Sequence, residues 1–323
     1  MKTSTVGPLG PVSRLTLGGG GIGQVWGKVS REEAGATLKA ALDGGIDILD
    51  TAPMYGDCER LIGDTFSGAL PAGVKVTTKC ALGSPPAGEV AARLQASLEA
   101  SLTAMQLAHI DVFFLHTFIA ADGYAYARGD AQRDAMSIRW SLYLEELVPA
   151  FEQLQAQGRI GCWGITAIGV PDAVLGAIGH DPKPPVIQAI TNLMDSPGGI
   201  RPFAEPPRPR DIIAAAKARG IGVFGIRAVQ AGALTAALDR PLSPEHPDAR
   251  DFARAAPYRE LCAAWGEDPA VVAHRYALGM EGVDNLILGV KNRAELADAL
   301  RAEAAGPLEP VQVAAIDALG LAG

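Results

Sequence analysis

The sequence predicts an α/β protein, a (β/α)8 TIM barrel. Eight short apolar, β-branched segments recur along the chain, each ahead of a segment with helical periodicity. The repeat fills 323 residues, a length suited to one barrel of this kind. The composition, 48% hydrophobic and 20% charged, supplies a large core.

The first strand is expected at Arg14–Leu17, ahead of a glycine run, and "SREEAGATLKAAL" follows as a helix. Ser30 caps that helix, and Glu33 completes an S-x-x-E capping box. "IDILD" (Ile46–Asp50) is the second strand and "CERLIGDTF" its helix. "VKVTTK" (Val74–Lys79) is the third, with a helix from Glu89 to Met105. "DVFFLH" (Asp111–His116) is the fourth and nearly all apolar, as a strand covered on both faces should be. After an irregular stretch come helix Leu142–Gln157 and strand Gly161–Thr166. Helix Pro171–Ile178 then leads to strand Val186–Ile190, and helix Asp211–Arg219 to strand Gly222–Ile226. Helix Asp268–Gly279 leads to strand Asn285–Gly289 and helix Arg293–Ala305. Pro257–Trp265 and Val311–Leu319 are extra C-terminal helices outside the repeat. The Pro-rich stretch Pro202–Pro209 is a loop within the repeat, so residues 1–323 are expected to form a single domain.

The net charge of −8 and pI near 5.2 argue against nucleic acid or an anionic membrane as partner. Cys58, Cys80, Cys162 and Cys262 form no C-x-x-C, and "MKTSTVGPLG" has no apolar signal core. No apolar run reaches the roughly 18 residues of a membrane span. The expectation is a cytoplasmic protein with reduced thiols and a small-molecule substrate.

In a barrel of this type, strand C-termini converge on one mouth and carry the chemistry. Those ends hold Asp50, Lys79, His116, Thr166, Gln188, Arg227 and Lys291. Three ionisable groups close three successive strands, and Tyr55 follows Asp50 by five residues. Buried charges are costly unless paired, so Asp50 and Lys79 should pair. An ammonium beside the Tyr55 hydroxyl favours the phenolate and is expected to lower its pKa by roughly 1–3. The tyrosine then exchanges protons, and His116 orients a carbonyl oxygen. Carbonyl reduction also needs a hydride source, which a cofactor must supply. Taken singly, each residue has an ordinary structural role, such as a cap, a solvated strand end or a core histidine. Four in order at strand ends make one catalytic set: Asp50, Tyr55, Lys79 and His116. His109, His180, His246 and His274 lie in helical or loop contexts and are structural.

"DTAPMYGDCERLIG" resembles the signature of the aldo-keto reductases, and "VTTK" and "DVFFLH" resemble that family's lysine and histidine strands. The resemblance runs over nearly the whole chain. It implies a (β/α)8 barrel that passes hydride between nicotinamide C4 and an aldehyde, ketone or alcohol. The implied cofactor lies extended across the barrel mouth, NADP first and NAD as the alternative. The cofactor-binding set is Gly19, Gly20, Asp50, Thr166, Gln188, Arg227, Val229, Gly289, Lys291 and Arg293. Gln188 matches the glutamine that holds the nicotinamide amide. Thr166-Ala167 replace the usual Ser-Asn, and Ile226-Arg227 the usual aromatic-Ser pair. Arg227 is then placed to reach the pyrophosphate, and Lys291 and Arg293, at a helix N-terminus, to meet a 2′-phosphate. Glu295 stands where many members carry Arg or Gln. Two other activities share this pattern: an NAD-linked sugar or alcohol dehydrogenase, and a cofactor-binding regulatory subunit with little turnover.

Trp26, Phe118 and Tyr124 are candidate substrate-pocket residues. The segment 117–140 is too long for an ordinary βα loop and is either a substrate lid or a mobile excursion, partly helical near Asp130–Trp140. No H-x-H or H-E-x-x-H occurs, so no metal is expected. No G-x-S-x-G occurs either, and the residues before Lys28 lack the P-loop glycine. Gly18, Gly20 and Gly23 spell G-x-G-x-x-G. The strand-closing acid, Asp50, lies 32 residues beyond Gly18 instead of about 20, and the next helix has its own cap. The glycines are therefore expected to form one wall of the mouth, with "GGGG" giving a flexible loop.

Overall fold

The computed structural model describes residues 1–323. Eight parallel strands close into a barrel in chain order: Leu15–Gly18, Ile48–Asp50, Lys75–Cys80, Ile110–Leu115, Ile160–Thr166, Val186–Ile190, Gly222–Ile226 and Asn285–Leu288. The last strand pairs with the first through Leu286–Leu288 against Leu15–Leu17. Eight helices surround them: Arg31–Asp43, Cys58–Phe66, Val90–Met105, Val148–Ala156, Pro171–Gly179, Pro209–Ala218, Pro269–Gly279 and Arg293–Ala305.

Alternation along each strand sorts the side chains into two layers. Leu17, Leu49, Val76, Phe113, Trp163, Ile187 and Val223 belong to the large core shared with the helices. Ile48, Val112, Phe114, Cys162, Val186, Phe224 and Ile287 fill the barrel itself. An N-terminal hairpin (Thr3–Thr5 with Pro11–Ser13), not evident in the sequence, adds Val6 and Val12 to this inner layer. It closes the end of the barrel where Pro185 and Gly222 meet Gly7. The inner layer is mostly apolar below, with one buried polar pair in which Thr16 donates to Asn285 at 2.8 Å, and the ionisable inward-facing residues lie near the strand C-termini.

Several local expectations are revised. Ser30 does accept the Glu33 backbone N–H, but the Glu33 carboxylate turns to Arg293, so the capping box is one-sided. The helix expected over Leu142–Gln157 contains a π-helical turn at Tyr143–Leu147. Pro149 follows directly; it lacks an N–H, and its ring would clash with the carbonyl four residues back. Strand seven is followed by a 3-10 turn, Gln230–Gly232, and by an unforeseen helix, Pro247–Arg254, before Ala256–Trp265. The tail helix spans Pro310–Asp317.

The segment 117–140 is a tied excursion. Phe118–Ala120 pairs in parallel with Ser137–Arg139, which joins the two ends of the segment at its base. Within it, helical turns occupy Asp130–Gln132 and Arg133–Met136. Its interior is a small apolar cluster of Ala120, Tyr126, Val170 and Phe203, with Phe118 and Tyr124 against it.

The glycine run is not a flexible loop. Gly19–Ile22 forms one helical turn, and none of Gly18 to Gly23 has a positive φ. The glycines are needed for close approach. A Cβ on Gly18 would stand 2.1 Å from the Leu288 carbonyl oxygen, one on Gly21 2.1 Å from that of Val290, and one on Gly23 2.1 Å from that of Tyr55. The run thus wedges strand one against the loops after strands two and eight.

Candidate active site

Strand register sets the level of each polar group. Gly18 pairs with Asp50, Asp50 with Thr77, Cys80 with Leu115, and Gln188 with Thr166. Asp50 shares its strand face with Ile48, Lys79 with Thr77, and His116 with Phe114, so all three enter the barrel mouth. Lys79 Nζ lies 2.6 Å from Asp50 Oδ2 and donates to the Thr51 carbonyl at 2.9 Å. The two side chains are 0% and 2% exposed. Asp50 Oδ1 accepts from Thr77 Oγ1 at 2.6 Å and from Gln188 Nε2 at 2.7 Å. The carboxylate therefore has three charged or polar donors, which is what a buried charge requires.

The Lys79 ammonium also lies 4.6 Å from the centroid of the Tyr55 ring, and that ring meets the His116 ring edge-on at 5.7 Å. Tyr55 and His116 are half-buried. Burial works against the Lys79 charge, but Asp50 and Tyr55 outweigh it and hold the ammonium above the usual lysine range. Burial and the Lys79 charge together push His116 down to about 3, so its imidazole is neutral. His116 Nδ1 is buried without a partner in the protein. For Tyr55 the expected direction is reversed. Burial raises the hydroxyl above its ordinary value, and Lys79 offsets only part of that rise. Desolvation disfavours the phenolate more than one shared ammonium favours it.

Thr77 and the Thr51 carbonyl are members of this cluster that the strand-end argument did not pick out. Thr77 stands two residues before Lys79 on the same strand face, and that spacing was the available signal. Thr166 points its hydroxyl back to the Leu115 carbonyl at 3.1 Å.

The far side of the mouth is a charged network. Arg227 lies 3.0 Å from Asp248 and donates to Gln230 at 2.9 Å. Arg240 joins Asp248 at 3.3 Å, and both guanidinium groups stand over the Trp26 indole, at 6.0 and 5.4 Å. Trp26 in turn covers Gly20 and Gly289, whose missing Cβ atoms would meet its Nε1 at 3.2 and 3.8 Å. Arg227, Gln230 and Ala231 all have positive φ, so the turn around Val229 is tightly wound. Lys291 is in close contact with Asp239 and 3.4 Å from Glu295, and Arg293 is 2.8 Å from Glu33. Of the candidate pocket residues, Trp26 lies at this mouth. Phe118 packs beside Tyr126, and Tyr124 donates its hydroxyl to Glu205 at 2.7 Å.

No group of His, Cys, Asp or Glu is arranged to hold a metal ion. The donor set does fit a dinucleotide. Gly20 and Gly289 let the backbone approach closely beneath the Trp26 indole, and Arg227 and Arg240 beside that indole supply positive charge suited to a pyrophosphate.

A lysine–carboxylate pair, a tyrosine and a neutral histidine meet at the mouth of the barrel, an arrangement chemically capable of proton transfer. The family profile described as the aldo/keto reductase family matches residues 14–320. The chain belongs to that family of oxidoreductases, whose members use nicotinamide cofactors. An L-galactose dehydrogenase from Arabidopsis thaliana is 23% identical over 289 residues, covering 88% of this chain and 82% of its own. An aldo-keto reductase from Bacillus halodurans, solved in its holo form, superposes with a TM-score of 0.73 at 20% identity, covering 99% of this chain and 96% of its own. A glycerol dehydrogenase from Gluconobacter oxydans gives 0.72 at 20% identity, covering 98% and 94%. The two structural likenesses concern the fold.

Proposed function

We propose that this chain is an NAD(P)-dependent oxidoreductase, acting as a single domain in the cytoplasm, that interconverts a small-molecule carbonyl and its alcohol. The observation that carries this reading is the Lys79 ammonium, held between the Asp50 carboxylate and the Tyr55 ring. The bound nicotinamide supplies the hydride. The chain's own residues handle the proton and the position of the carbonyl. Tyr55 donates its proton to the oxygen of the carbonyl being reduced and takes it back in the reverse reaction. Lys79 stabilises the negative charge left on Tyr55 Oη, and Asp50 keeps Lys79 charged. His116, being neutral, is able to donate one N–H to the same oxygen without adding a charge. Gln188, Thr166, Gly19, Gly20, Arg227, Val229 and Gly289 are the residues that hold the cofactor. The four cysteines are all free and buried, as in a reducing compartment.

The test is a thermal-shift comparison with NAD and NADP, followed by a carbonyl and polyol panel read by nicotinamide absorbance. L-Galactose and glycerol belong in that panel because they are named for the relatives above. A rise in Tm with either cofactor and turnover with at least one substrate are expected. Binding without turnover on a broad panel would favour a regulatory subunit.

A further inference from the structure

Two backbone donors and two cationic side chains at the N-terminus of helix Arg293–Ala305 already engage carboxylates of the protein. Glu33 accepts the Arg293 backbone N–H at 3.0 Å and its guanidinium at 2.8 and 3.2 Å. Glu295 accepts the Lys291 backbone N–H at 2.9 Å and lies 3.4 Å from the Lys291 ammonium. The Asn292 side chain takes the Glu295 N–H at 2.9 Å. Asp239 holds the Lys291 ammonium as well and shares Arg240 at 3.2 Å. Lys291, Arg293 and Arg240 therefore face Glu33, Glu295 and Asp239, with Asp248 also on Arg240, and none of the three cations lacks a carboxylate partner. Hydrogen bonds from Arg293 bring Glu33 down to about 2, so it is ionised throughout the neutral range.

A helix N-terminus in the loops after strands seven and eight is where this fold commonly takes a phosphate. Here that position is filled from within. We propose that Glu33 and Glu295 make the chain selective for NAD(H) over NADP(H). The proposal rests on the reading above that a nicotinamide dinucleotide binds at the mouth. A 2′-phosphate would have to displace both carboxylates or sit against them, and like charges in contact discriminate strongly. A ribose 2′-hydroxyl is a donor, and a carboxylate is its natural acceptor. The pyrophosphate is common to both cofactors, so Arg227 and Arg240 do not discriminate. The sequence expectation of NADP counted Lys291 and Arg293 as free cations, and the structure shows both engaged.

Fluorescence titrations of the wild-type chain with NADH and NADPH test this directly. NADH should bind at least roughly tenfold tighter. The E33Q/E295Q variant should narrow that ratio by at least roughly tenfold, mainly through tighter NADPH binding. Added salt should also narrow the wild-type ratio by screening the repulsion. Equal or tighter NADPH binding to the wild type would overturn the proposal whether or not the double variant folds. An unchanged ratio in a folded variant would overturn the assignment to these two residues. Failure of either dinucleotide to bind would overturn the oxidoreductase reading, and this one with it.

Discussion

Lys79 Nζ sits 2.6 Å from Asp50 Oδ2 where neither side chain meets solvent. Each charge is tolerated in the barrel only because the other is there. Removing one partner strands the other, at a cost of about 3–5 kcal/mol. Lys79→Met and Asp50→Asn should each lose about that much stability in urea unfolding. The double variant should lose clearly less than the sum, because no orphaned charge remains. Simple additivity would show that the two charges are not coupled.

The Tyr55 hydroxyl is the group assigned to proton transfer. Tyr55→Phe should lower kcat by at least roughly 10²-fold while cofactor affinity, read by fluorescence titration, stays within a few-fold. Burial raises this hydroxyl above its ordinary value of 10.0. The protonated form, which reduction requires, therefore persists at alkaline pH, so the rate of carbonyl reduction should show no alkaline limb below about pH 10. Alcohol oxidation requires the phenolate and should climb through the same range. A reductive limb near pH 8 would mean that another group donates the proton.

His116 titrates at about 3 in the folded protein, against an ordinary value of 6.5. Between those values the unfolded chain binds a proton that the folded chain refuses. Stability is therefore unaffected by this group above about pH 6.5 and falls as the pH drops from there toward 3. His274 is lowered by burial in the same sense. Thermal melts across pH 3–8 should show this loss, and His116→Gln should make the profile shallower than that of the wild type. Profiles that superpose would mean that His116 charges in the native state.

Gly21 has a helical turn's dihedrals, so nothing in its backbone excludes alanine. The obstacle is the Val290 carbonyl oxygen, 2.1 Å from where a Cβ would be. Gly21→Ala should therefore destabilise by about 1–3 kcal/mol, as overpacking does, with a lower Tm. Gly88→Ala is the contrasting change. It has open space but a positive φ, so its cost is backbone strain alone. A Gly21→Ala protein as stable as the wild type would show that the strand-eight loop yields easily.

The barrel was legible because its signal is redundant. A strand such as Val186–Ile190 or Gly222–Ile226 is bracketed by helices on both sides, and both strands form over the residues expected. The cluster of Asp50, Lys79 and His116 was legible because strand alternation sends every second side chain to one face, and parallel register then sets the level. The pairing of Lys79 with Asp50 was legible too, but partners that meet only through the closed fold escaped. Glu33 looks like half of a capping box in its own helix, and only the ring closure of the barrel brings Arg293, 260 residues on, within its reach. The direction of the Tyr55 shift was misread for a related reason. A sequence shows which charges will be neighbours but not how much water each neighbour loses. The π-turn before Pro149 was visible as a proline in the chain, but its form depended on a helix that had to continue on both sides.

The parallel pairing of Phe118–Ala120 with Ser137–Arg139 ties the base of the excursion before the chain returns to the barrel. Residues between the two strands can be lengthened, shortened or exchanged while the wall that carries Asp50, Lys79 and His116 keeps its register. Loop closure taxes such changes only weakly, at about 0.6 kcal/mol per doubling of length. The fold thus separates what inheritance must preserve from what it is free to vary. A lineage built on this chain can try new shapes beside the mouth, one insertion at a time, without disturbing the buried pair of Asp50 and Lys79.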